Sequence, residues 1–404
     1  MYALQKSIKL NHVRYDVRGR VAAEAEKLAG QGIDILKLNI GNPAHFGFEA
    51  PELIRKSVTE KLSQAVAYSD SRGLLSARLA IADYCKAKKI PNVSPDDVYT
   101  GNGVSELIAI TMQGLLNHGD EILVPAPDYP LWTAAVTVAG GTAVHYICDE
   151  QAEWNPDISD IKKKITARTK GLVIINPNNP TGALYPREIL EQIVEIARQN
   201  RLIIFADEIY DRLVMDGHEH ISVASLAPDL LVVTMNGLSK SHIICGFRCG
   251  WMSLSGDKTG AQDYIDGLTL LSSMRLCSNV PSQLAIEEAL KSSGGTDASL
   301  LPGGRLYEQR NYITEALNSI PGVSAVKPKG ALYIFPRLDA GRFHIKDDEK
   351  FALDFLRDKH VLMVHGTGFN WKQPDHFRIV YLPEINVLKT AMDSLGDFLT
   401  YYRQ

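Results

Sequence analysis

The stretch GLVIINPNNPTG (171–182) passes from an unbroken apolar run into a turn. Residues 171–175 carry no polar side chain on either face, which predicts a strand buried on both sides. Two Asn-Pro steps and a Thr-Gly then stop the strand and stiffen the loop. Downstream, 186–200 places Ile189, Ile193, Ile196 and Ala197 on one face and Arg187, Glu191, Glu195 and Arg198 elsewhere, the pattern of an amphipathic helix. LIIF (202–205) is apolar throughout again. Strand, helix and strand in this order predict a mostly parallel sheet with helices on both faces.

The same alternation extends outward. Short apolar strands are predicted at 98–100, 121–124 and 230–235, and a helix at 106–116. SGGTDASLLPGG (293–304) reads as a linker, and helices near 305–320 and 349–359 belong to a smaller α+β unit. The first part of the chain has one helix near 21–31 and the turn Gly41-Asn42-Pro43, and is expected to join that smaller unit. The expected division is therefore 1–45, a large domain at 46–295, and a small domain at 296–404. A chain of 404 residues, 45% hydrophobic, exceeds what one core usually organises.

Charge and cysteines exclude several classes. A net charge of −4 lacks the basic excess that nucleic acid or an acidic membrane requires. No apolar run suits a signal peptide or a membrane helix, so a soluble cytoplasmic protein is expected. The 5 cysteines are scattered and odd in number, which argues for free thiols. Cys245 and Cys249 have no neighbouring pair to complete a zinc site. His218 and His220 fall in a polar loop and read as solvated, and Trp154, Trp251 and Trp371 read as packing or loop residues.

In an open parallel sheet, ligands bind at the carboxyl ends of the strands. After 98–100 comes GNGVSE (101–106), two glycines before a helix start, where backbone N–H groups and the helix dipole favour an anion. A glycine turn with a serine cap accounts for it equally well, and Glu106 replaces the third glycine that a dinucleotide fold needs. NPNNPTG holds amides rigidly at a strand end, suited to a ligand oxygen. Asp207 follows an apolar strand, as a helix N-cap or as counter-ion to a buried cation, with Tyr210 three residues on. Lys240 ends the loop GLSK (237–240), and Arg248 follows in GFRCG (246–250). Desolvation and a nearby arginine both favour the neutral amine that traps carbonyls.

Together these residues resemble the class I/II, fold-type I aminotransferases that depend on pyridoxal 5′-phosphate (PLP), over almost the whole chain. The resemblance implies that Lys240 is the Schiff-base lysine and that Asp207 pairs with the pyridine nitrogen. It implies that Tyr210 and Asn179 bond the ring 3′-oxygen and that Tyr129 stacks on the ring. Gly103, Val104 and Ser105 match the phosphate cradle, with Arg248 and Ser239 as further contacts. Tyr68 matches a tyrosine that reaches the phosphate across a homodimer interface with shared active sites. Arg378, Gly41 and Asn179 match the binding site for the substrate α-carboxylate. The sequence departs from the usual pattern at Gly237, often a serine, at His365, often a proline, and at Ile243 and Cys249.

YDVRG (15–19), LNIGNP (38–43), PDYPLW (127–132) and GTGFNW (366–371) resemble bacterial glutamate–pyruvate (alanine) aminotransferases. This implies amino-group exchange between alanine or glutamate and pyruvate or 2-oxoglutarate. Tyr15 and Arg18 would then meet substrate, with Arg18 on the glutamate γ-carboxylate. The competing expectations are an aminotransferase for aromatic or branched-chain amino acids and a PLP-dependent C–S β-lyase. A DNA-binding regulator on the same fold is disfavoured, because no basic helix-turn-helix segment precedes Gly103.

Overall fold

The computed structural model describes residues 4–13, 15, 19–292 and 296–404. Its strands up to residue 255 are β1 (Leu36–Lys37), β2 (Val98–Asn102), β3 (Glu121–Ala126), β4 (Thr142–Asp149), β5 (Asn155–Pro156), β6 (Thr169–Ile175), β7 (Ile203–Asp207), β8 (Val232–Gly237) and β9 (Cys249–Ser255). Strands β2 to β9 form one 8-stranded sheet in the order β2-β9-β8-β7-β6-β3-β4-β5. The pairs β3–β4, β3–β6, β6–β7 and β7–β8 are parallel. β9 runs against both its neighbours, and β5 runs against β4. The reversal of β9 brings its first residues to the same sheet edge as the last residues of β2 and β8. Arg248 thereby joins Gly103 and Lys240 at one edge.

The helix Arg187–Asn200 covers the sheet through Leu190, Ile193, Val194, Ile196 and Ala197. Its buried stripe is centred one residue further along than the sequence pattern indicates, and Ile189 is only half-buried. The helix at GNGVSE begins at Val104, and its N-cap is Gly103 at φ +79, with no side-chain cap. Ser105 is thus inside the first turn, and its expected capping role is not what the backbone uses. β7 extends to Asp207, and the residues that follow make tight turns, so Asp207 is no helix N-cap.

Gly101, Gly250 and Gly237 lie side by side on β2, β9 and β8. A Cβ on Gly250 would stand 2.6 Å from the Val104 nitrogen and 2.7 Å from the Gly103 carbonyl carbon. The bare glycine lets the helix start lie directly on β9. Gly250→Ala is expected to destabilise the fold by about 1–3 kcal/mol through overpacking. Its denaturant midpoint should fall, and an unchanged midpoint would show that the helix start moves freely.

The first helix, β1 and most of the chain after residue 296 pack around a second core, in which Val21, Ala25 and Leu38 meet Leu306, Ile313, Leu356 and Val380. β1 pairs in parallel with Val361–Leu362. Tyr333–Ile334, Phe377–Val380 and Val364–His365 form a small antiparallel sheet. The stretch expected to be a linker is packed at its described end: Leu300 is in this core, and the buried Thr296 hydroxyl donates to the Ser241 carbonyl. Lys329 N–H donates to the Gly182 carbonyl over 2.9 Å. A Cβ on Gly182 would lie 2.5 Å from Pro328, so the NPNNPTG loop is docked against the segment that leads to Tyr333. Among the described residues no helix is long and apolar enough to cross a membrane, and no cluster of metal-ligating side chains occurs.

Candidate active site

Residues from the carboxyl edge of the sheet and from the second core enclose a cavity of about 490 Å³. Val104 and Ser105, at the start of their helix, line it together with Ser239 and Arg248. The helix start is electropositive, because its first N–H groups lack helical partners. Glu106 does not oppose this field. Its carboxylate accepts from Asn102 N–H at 2.8 Å and is ion-paired with Arg275. Gly103 lies behind the cavity, where a Cβ would meet the Arg248 Nη2 at 2.3 Å. Arg248 takes a left-handed backbone conformation at φ +57, and its Nη1 donates to the Cys245 carbonyl over 2.8 Å. Gly237 offers no hydroxyl, and a Cβ there would stand 2.6 Å from the Cys249 carbonyl oxygen.

Asp207 also lines the cavity and is 3% exposed. The Trp132 indole N–H donates to its Oδ2 over 3.1 Å. Burial pushes the carboxyl up to about 6, against the pull of that indole. No cation pairs with it among the described residues, so the site favours a positively charged guest. A protonated pyridine nitrogen fits that requirement, and the helix start with Arg248 fits a phosphate.

The Lys240 Nζ donates to the Gly41 carbonyl over 2.7 Å. Arg378 is 2% exposed. Its Nη1 donates to Asn179 Oδ1 over 3.0 Å, and its Nη2 donates to the Asn39 carbonyl. The guanidinium lies 4.4 Å from the Tyr333 ring centre and 4.6 Å from that of Phe369. Burial pushes it below the usual arginine range, and among the described residues its Nε has no partner and no carboxylate pairs with it. Such a group suits an incoming carboxylate. With Asn179 Oδ1 engaged by Arg378, the amide NH₂ is left to donate elsewhere.

The Tyr210 and Tyr333 hydroxyls are 2.9 Å apart, and so are those of Tyr15 and Tyr129. Beside Tyr129, Asp128 is fully buried and pushed up to about 7. It accepts from Thr133 Oγ1 at 2.8 Å and from Asn370 Nδ2 at 2.7 Å, and so ties Tyr129 to the loop that carries Phe369.

The cavity therefore collects Tyr15, Gly41, Tyr129, Asn179, Tyr210 and Lys240 with the residues above. It does not collect Tyr68, which is 77% exposed and outside the lining. Arg18 lies outside the described residues. Tyr333, Trp132 and Asp128 were missed as site residues by sequence reasoning. The run ALYIF (331–335) reads as plain core, although a tyrosine in an otherwise apolar strand is a signal that its hydroxyl has a partner. His220, expected in a solvated loop, turns inward. Its Nε2 bonds the Asn176 carbonyl at 3.1 Å, and desolvation pushes its ring down to about 4.

The model of the family "Aminotransferase class I and II" matches residues 33–395. The glutamate-pyruvate aminotransferase AlaA of Haemophilus influenzae is 59% identical over 404 residues, covering 100% of both chains. An alanine aminotransferase of Mycobacterium tuberculosis is 53% identical over 403 residues, covering 100% of this chain and 94% of that one. The crystal structure of an Escherichia coli aminotransferase superposes with a TM-score of 0.99 at 57% identity, covering 100% of both chains. An alanine aminotransferase from Pyrococcus furiosus gives 0.92 at 40% identity, covering 98% of this chain and 100% of that one. The expected α/β, fold-type I architecture is thus matched along its whole length, and the chain belongs to the class I and II aminotransferases.

Proposed function

We propose that the protein is a PLP-dependent aminotransferase that moves an amino group between alanine or glutamate and pyruvate or 2-oxoglutarate. The observation that carries this reading is one cavity holding Lys240 with two buried, opposite charges, Asp207 and Arg378, neither ion-paired among the described residues. The first suits a ring cation and the second a substrate carboxylate. The alanine and glutamate pairing rests on the relatives named above.

When bound, PLP supplies an aldehyde that condenses with amines and a pyridinium ring that takes up the electron pair left by breaking the substrate Cα–H bond. Lys240 is its attachment point. The N–H groups of Val104 and Ser105, with Ser239 and Arg248, hold the phosphate, and Gly103 permits the close approach. Asp207 keeps a proton on the ring nitrogen. Tyr210 and Asn179 donate to the ring oxygen, and Tyr129 stacks on the ring. Tyr68 of a second copy completes the phosphate site in a cytoplasmic homodimer.

Arg378, with Gly41 and Asn179, would fix the α-carboxylate, and a carboxylate held in two places would orient the Cα–H bond for its removal. The Lys240 amine, which lines the same cavity, would accept the Cα proton. Tyr15 and Arg18 meet the side-chain end, with Arg18 on the glutamate γ-carboxylate. The amino group would stay on the enzyme after the first keto acid leaves and pass to the second, which makes the kinetics ping-pong.

Borohydride treatment of protein supplied with PLP, followed by peptide mapping, tests the centre of this reading. Reduction is expected to remove the visible absorbance and to label Lys240. A label on another lysine, or no chromophore, overturns it. Incubation with alanine and 2-oxoglutarate should then yield pyruvate and glutamate in equal amounts, whereas ammonia release would mark a lyase.

A further inference from the structure

Tyr333 has a position that the functions assigned so far do not use. Its side chain is 3% exposed and lines the cavity. The hydroxyl is 2.9 Å from that of Tyr210, and the two rings meet edge to face at 85° with centres 5.8 Å apart. The ring is capped by the Arg378 guanidinium at 4.4 Å. On its other flank is the chain at Gly41, where a Cβ would stand 2.2 Å from the Tyr333 oxygen. Only glycine at 41 leaves room for this hydroxyl, and the Gly41 carbonyl is the acceptor for Lys240. A single phenol is therefore packed against the ring-oxygen donor, the carboxylate clamp and the lysine's rest position.

We infer that Tyr333 is a positioning residue whose hydroxyl donates to the Tyr210 oxygen and so commits the Tyr210 proton to the cofactor ring oxygen. This rests on the proposed PLP site. The direction follows from counting protons. A hydroxyl has one proton, and the ring oxygen, which carries negative charge, accepts it from Tyr210. The bond between the two tyrosines must then be made by the proton of Tyr333. The guanidinium over the Tyr333 ring draws electron density from it and makes its hydroxyl a better donor. Chained donors polarise one another, so Tyr210 becomes a stronger donor than a lone phenol.

The consequence is readable in the chromophore. A strong donor on the ring oxygen competes with the proton on the nitrogen that joins Lys240 to the cofactor. Weakening that donor lets the oxygen hold this proton more tightly, so the chromophore should lose it at higher pH. The titratable groups facing the pair are Arg378, Asp207, Lys240, Tyr129 and Tyr15, and all are retained in the variants.

The experiment is a pH titration of the visible absorbance of the PLP-loaded enzyme. It compares the parent, Tyr333→Phe, Tyr210→Phe and the double variant. Phenylalanine keeps the ring over Arg378 and removes only the hydroxyl. Tyr333→Phe is expected to raise the midpoint by about half a pH unit, the scale of one neutral hydrogen bond. Tyr210→Phe should raise it further, and the double variant should match Tyr210→Phe alone, because Tyr333 acts only through Tyr210. A Tyr333→Phe midpoint equal to the parent's, or additive shifts in the double variant, overturns the inference while the cofactor site stands. Absence of any lysine-bound chromophore in the parent overturns the site reading and this inference with it.

Discussion

Lys240→Ala is expected to lower turnover with alanine by about 10²–10⁴-fold, the contribution of a positioned acid–base group. The amine follows β8, and its Nζ sits 2.7 Å from the Gly41 carbonyl, in the cavity that also holds Arg378. In the proposed site, substrate fixed by Arg378 would have this amine as its base, since both line one cavity. The proposed phosphate and ring contacts belong to other residues, so the variant should still bind cofactor, without covalent attachment. Single-turnover mixing with alanine separates the two effects: amino-acid binding should persist while proton transfer slows. A small primary amine added to Lys240→Ala should restore part of the rate, because it can occupy the vacated volume as a free base. Lys240→Arg should be as slow and gain nothing from added amine, since guanidinium fills the space and stays protonated. More than a tenth of parental single-turnover rate in Lys240→Ala would remove the residue from the proton-transfer step.

Much of this site was legible because strand ends announce themselves. An apolar run such as that before Asp207 leaves few reasons for a carboxylate at its end, and the loops NPNNPTG and GLSK are rigid and polar where solvated loops need not be. What was not legible depends on pairing and on long-range contact. β9 reads CGWMSLS (249–255), with serines that face neighbours inside a fully buried strand, and nothing local indicates that it runs against the sheet. That reversal is what places Arg248 beside the helix start at Val104. Tyr333 and Phe369 meet Arg378 only because distant segments pair and pack there. Trp132 reaches Asp207 from a helix 75 residues away in sequence. His220 looked solvated because its neighbours are polar, yet it bonds the Asn176 carbonyl at the start of the NPNNPTG loop.

Arg378→Lys is expected to lower kcat/KM for alanine by about 10²–10³. Two charge-assisted hydrogen bonds are at stake, at about 1.5–3 kcal/mol each, and an ammonium cannot reproduce the planar fork that makes both at once. Arg378 is also held by what surrounds it: the guanidinium lies over the Tyr333 and Phe369 rings and is bonded to Asn179 and the Asn39 carbonyl. A lysine fills neither the stack nor the bonds, so the loss should appear in kcat as well as KM, because an unsteady carboxylate no longer holds the Cα–H bond at the reactive angle. The decisive comparison is between alanine and ethylamine, which differ only by the carboxylate. The parent should prefer alanine strongly. The variant should lose its rate with alanine, keep whatever rate it has with ethylamine, and so close the gap between them. Carboxylate ligands that raise the thermal midpoint of the parent should shift the variant's far less, since that stabilisation is binding to the folded state alone. If alanine keeps its full advantage over ethylamine in Arg378→Lys, the substrate carboxylate is bound by another group, and the buried guanidinium is a packing element rather than a clamp.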